Sequence, residues 1–135
     1  GKFICGLTAV ISLNFNDDNT AGLTCARKVL AGAVAADTMQ DPYLLEEMVT
    51  MGTKFGVERA QFNDAVKSQH SADPLTKVML QTSKALAVSP ARVTAELVSE
   101  IRASALTAPM LVELVSVVAC AQMLHRLERF FLTEQ

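Results

Sequence analysis

At 135 residues the chain has the size of a single domain, half of it apolar and 19% charged. The formal net charge is −2, and the scattered lysines and arginines form no basic stripe, which argues against a nucleic-acid partner. Three widely spaced cysteines are too few for a disulfide framework and fit a reducing, cytoplasmic compartment.

The positive mean hydropathy is high for a lone soluble domain and points to apolar surface hidden in a homo-oligomer. The early apolar run, Phe3 to Leu13, is shorter than the ~20 residues a membrane span needs, so no membrane partner is expected. Lys2 before that run is reminiscent of a signal peptide, but the polar Asn14-Phe15-Asn16-Asp17-Asp18 follows where small residues should be. The chain opens on Gly1-Lys2 rather than Met, as a trimmed chain or a fragment of a longer one would.

Within that first run, Thr8 to Leu13 alternates and is the one strand candidate. Asn14 to Thr20 reads as a polar loop, with Asn19 or Thr20 placed to cap the next helix. Gly22 to Ala36 predicts an alanine-rich helix suited to close packing; Gly32 inside it costs up to ~1 kcal/mol against Ala, which a tight contact would explain. Asp41-Pro42 predicts a helix start: the carboxylate caps free N–H groups, and Pro suits the first turn. Glu46 and Glu47 suit the positive end of that helix, and Gly56 is placed to stop it in the left-handed conformation.

Val57 to Val66 predicts a short helix, Ser68 to Ala72 a loop, and Asp73-Pro74 a second Asp-Pro start to a helix reaching about Ala87. After Ser89-Pro90, the residues Val93, Leu97 and Ile101 share one helical face. A break follows at Thr107-Ala108-Pro109. The last helix, from Met110, is apolar nearly all round between Leu111 and Leu124, so it is central to the core or buried between subunits. Charge returns at His125, Arg126, Glu128 and Arg129. The expected class is all-α: a single domain over residues 1–135, a compact bundle of six or seven helices.

The stretch from Ser89-Pro90-Ala91 through the Val93-Thr94 helix, the Thr107 break and Val112-Glu113-Leu114-Val115 to His125-Arg126 resembles the alkylhydroperoxidase AhpD-like and carboxymuconolactone decarboxylase superfamily. The resemblance covers roughly residues 41–131 and is best over 73–131. It implies an AhpD-like helical bundle that assembles as a dimer, trimer or hexamer. It also implies an upstream Cys-x-x-Cys-x-x-x-His redox motif. Counting back from Gly56 by the family's spacing places Asp41 and Leu44 where the two cysteines belong and Met48 where the histidine belongs. Tyr43, a residue often found just before the second cysteine, is present. The redox helix thus stands here with its reactive groups replaced, and neither Asp41 nor Leu44 can form a thiolate or exchange a disulfide. Asp41 reads first as an N-cap.

Three sets of residues remain as candidates. Cys25, beside Arg27 and Lys28 and near a helix start, has surroundings that lower a thiol pKa, which would suit a single-cysteine peroxidase; the simpler reading is a packed small residue. His125 and Arg126, taken as the end of the last helix, suit its dipole and would also hold an anionic small molecule. Glu113, early in an apolar helix, invites a buried pairing with Arg126 or Arg102; with Tyr43 these are the candidate ligand-binding residues. Cys5 and Cys120 read as buried and inert, and His70 as a solvated loop residue. The two histidines have no ligand-spaced companions, so no metal or cofactor is expected. The expected function is a non-catalytic binding or structural module; the alternatives are a single-cysteine alkylhydroperoxidase or a decarboxylase-like enzyme.

Overall fold

The computed structural model describes residues 22–68, 73–88 and 91–133. These form six helices: α1 (Cys25–Thr38), α2 (Pro42–Lys54), α3 (Arg59–Ser68), α4 (Pro74–Ala87), α5 (Ala95–Ala103) and α6 (Ala108–Thr133). No strand occurs among the described residues, so the all-α expectation holds. The Thr8–Leu13 segment, Cys5, the Asn19/Thr20 caps and His70 lie outside them.

Helix α1 is the centre. Every residue from Lys28 to Ala36 is buried, and α2, α3, α4 and α6 all pack against it. Its small side chains make this feasible, since four neighbours cannot approach a helix carrying large ones on every side. It begins at Cys25 rather than Gly22 because the Thr24 side chain accepts the Arg27 N–H at 3.2 Å. Buried Ser83 of α4 donates to the Ala31 carbonyl at 2.8 Å. Arg27 binds Asp73 at 2.8 Å, which joins the starts of α1 and α4.

The predicted starts and stops follow the caps. Asp41 and Asp73 accept from Leu44 and Leu75 N–H, with Pro in the first turn behind each. Thr94 caps α5, and Thr107 accepts from Met110 N–H at the head of α6. Gly56 has φ +79°, while the Val57 N–H reaches the Gly52 carbonyl and the Gly56 N–H the Thr53 carbonyl; this is a Schellman stop. The α1–α2 connection has the same pattern without a glycine. Gln40 takes φ +57°, with Asp41 N–H on the Ala36 carbonyl and Gln40 N–H on the Asp37 carbonyl. A left-handed glutamine costs about 1 kcal/mol, so a strong local constraint fixes where Asp41 sits.

On the other side of the core, Phe62 of α3 is buried against Gly52 of α2, which Val29 of α1 also approaches. Helix α5 has no buried residue and lies on α4 at the surface, with Leu97 and Ile101 half-buried.

Helix α6 has two apolar faces. One buries Leu114, Val117, Val118, Ala121 and Leu124. The opposite face leaves Val112 67%, Val115 47%, Met123 43%, Leu127 39% and Phe130 60% exposed. By length and composition Ala108–Phe130 could also cross a membrane, and 33% of that apolar window is buried in the fold.

Gly52 is required by packing rather than by backbone conformation: a Cβ there would collide with the Phe62 ring. Gly52→Ala is expected to destabilise the fold by about 1–3 kcal/mol, read as a lower urea midpoint. An unchanged midpoint would mean that α2 and α3 do not pack in this way.

Candidate functional site

The candidate residues are divided between several places. Cys25 is the first residue of α1 and is 4% exposed. Its cationic neighbour Arg27 is turned to Asp73 and Thr76. Neither Cys25 nor Cys120 is in a disulfide among the described residues, and burial pushes the Cys120 thiol up to about 11. Glu113 takes a different partner from the arginines expected: its Oε2 accepts the Leu23 N–H at 2.6 Å. Gly22 is what lets the carboxylate in, because a Cβ at that position would occupy its space. Glu113 thus fastens the approach to α1 onto α6. Arg126 is exposed, whereas His125 is half-buried. The helix also continues to Thr133, so these two residues are inside α6 rather than at its end.

His125 and Tyr43, by contrast, converge on a cluster built around Asp41. Asp41 is 5% exposed and has two tasks. Its Oδ1 accepts the Leu44 N–H at 3.0 Å as the α2 cap, and its Oδ2 lies 2.8 Å from His125 Nδ1. Glu128, one helical turn beyond His125, also hydrogen-bonds Asp41 and is 4% exposed. Glu47 is close enough to act on it electrostatically, and burial with the charges of Glu47, Glu128 and Asp41 raises the pKa of the exposed Tyr43. At the same turn, Asp37, Gln40, Asp41, Pro42 and Leu45 line a cavity of about 290 Å³.

The two buried carboxyls are pushed in opposite directions. Burial raises the Asp41 pKa, but hydrogen bonds from Leu44 N–H, Glu128 and His125, with the attraction of the imidazole, outweigh it and hold Asp41 below its ordinary value. Burial, the hydrogen bond to Asp41, and the charges of Asp41 and Glu47 push Glu128 up to about 8. Near neutral pH, Glu128 is therefore a carboxylic acid donating to an ionised Asp41. Its Oε2 has no hydrogen-bond partner among the described residues. An ionised Asp41 requires the Nδ1–H tautomer or the imidazolium of His125, which leaves Nε2 to exchange a proton when the ring is neutral. The arrangement can hold a proton and pass one on. No group of three metal-ligating side chains forms among the described residues.

The positions assigned to the family's reactive groups have other work here. Leu44 and Met48 are fully buried in the core, and Asp41 caps α2. The sequence reading missed Glu128. It shares the stripe of Leu114, Val117, Ala121 and Leu124, so a charge at a core-facing position was the available signal. No family model matches the chain, and no curated protein matches it.

The pH dependence has a definite sign. Unfolded Glu128 titrates near 4.5 and folded Glu128 at about 8. The stability from its bound proton is complete below the lower value and lost as pH rises through the upper one. Asp41 acts oppositely, losing its contribution as pH falls through its lowered pKa. The urea midpoint is expected to fall between about pH 5 and pH 8, and Glu128→Gln, which keeps a donor to Asp41, to flatten that fall. Equal slopes for wild type and variant would refute the assignment of the proton.

Proposed function

We propose that the chain is a non-catalytic AhpD-like domain acting as a binding or structural module within a homo-oligomer. The observation that carries this reading is the exposed apolar face of α6, running from Val112 to Phe130 on a helix whose other face already fills the core. Large apolar side chains exposed along one face of a helix mark an interaction site. Leu44 and Met48, buried where the family keeps a thiol and an imidazole, support the lack of dithiol chemistry, as does the burial of Cys25 from peroxide. Sedimentation of the purified chain is expected to give a dimer, trimer or hexamer at micromolar concentration. A monomer throughout would remove the reading.

A second reading draws on the Asp41–His125–Glu128 cluster. An imidazole oriented by a buried carboxylate, beside a carboxyl that stays protonated near neutral pH, suits decarboxylase-like proton transfer to a small carboxylated substrate. Under this reading, His125→Ala should abolish turnover in a lactone-decarboxylation assay, by about 100-fold or more. Wild-type turnover no faster than that of the variant would sink it.

A further inference from the structure

The exposed face of α6 has a pattern that fits a second copy of itself, an inference that rests on the homo-oligomer reading above. Val112, Ser116, Ala119, Met123, Arg126 and Phe130 follow alternating spacings of four and three, the repeat of a two-helix seam. At the helical repeat they fall within about 80° of arc. All six are exposed, and exposed Val115 and Leu127 flank them.

When a second α6 is laid antiparallel, with the two-fold axis level with Ala121, the six positions close on one another. Val112 meets the partner's Phe130, Ser116 meets the partner's Arg126, and Ala119 meets the partner's Met123. Each layer sets a small side chain against a large one, as interdigitating helices require, and symmetry supplies each layer twice. The hydroxyl of Ser116 faces the long polar end of the arginine, and the helix dipoles oppose. A parallel pair would stack Arg126 on the partner's Arg126 and leave a gap where Ala119 meets the partner's Ala119. A bilayer would have to accommodate Ser116 and Arg126 on the lipid-facing side, whereas an antiparallel partner provides each with the other.

We propose that two copies of this chain pair antiparallel along α6, with Ala119 and Met123 at the centre of the seam. Three measurements test this. Ala119→Glu should weaken the dimer at least about tenfold in sedimentation with helical circular dichroism unchanged. Ser116→Asp should tighten it about fivefold at low salt, since the new carboxylate faces an arginine; in a parallel pair it would face its own copy and weaken association. An equimolar mixture of Ala119→Cys and Met123→Cys chains should cross-link on oxidation more than either alone, with the unsubstituted chain as the baseline for the native thiols.

An oligomer indifferent to Ala119→Glu would overturn the seam and leave the oligomer reading standing. Looser association with Ser116→Asp, or self-cross-linking of Met123→Cys in preference to the mixture, would overturn the antiparallel order alone. A chain still monomeric at about 100 µM would overturn both readings. Flotation of that monomer with phosphatidylcholine vesicles would assign the face to lipid instead.

Discussion

The structure depends on one steric constraint: α1 is surrounded. Four helices approach it at once, and they can do so because half of its residues from Val29 to Ala36 are alanine, with one glycine, two valines and one leucine. Larger side chains there would push α2, α4 and α6 apart and separate every group they bring together. Three polar links tie α1 and the residues just before it to their neighbours. Ser83 reaches a backbone carbonyl in its middle, Arg27 ties its start to α4, and Glu113 holds the residue before Thr24 to α6. The core fixes the distances between helices, and these few directional bonds fix their register.

The same constraint explains why Asp41 is so exposed to its neighbours' chemistry and so little exposed to water. The turn after α1 is as tight as a Schellman turn allows, with Gln40 in a conformation that glutamine adopts reluctantly. Asp41 thereby follows directly on α1 and begins α2, close against α6. A looser turn would leave an ordinary solvated cap. This one brings a buried carboxylate to a histidine and a second carboxyl, and the crowding of negative charge is relieved by keeping a proton on Glu128.

Local chemistry made much of the fold legible. The Asp-Pro starts, the Gly56 stop and the Thr107 break are short-range signals whose physics is complete within a few residues, and the helices begin and end there. The apolar periphery of α6 was equally plain, since its composition already called for burial on two sides. The cluster was not legible, because Asp41 and His125 are 84 positions apart and nothing local connects them. Asp41 was read correctly as a cap, and that explanation concealed its second oxygen. Glu113 was expected to seek an arginine, but the group it reached is a backbone amide, and a backbone amide has no side-chain identity for a sequence reading to find.

The protonated Glu128 also makes folding a chemical exchange with the surrounding buffer. At neutral pH the unfolded chain has this carboxylate ionised, while the folded chain holds it neutral, with one negative charge fewer than the formal −2. Each molecule that folds draws a proton from solution and each that unfolds returns one. The heat of the transition therefore includes the ionisation heat of whatever buffer supplies that proton. Two buffers at the same pH would give different unfolding enthalpies for an identical structural change.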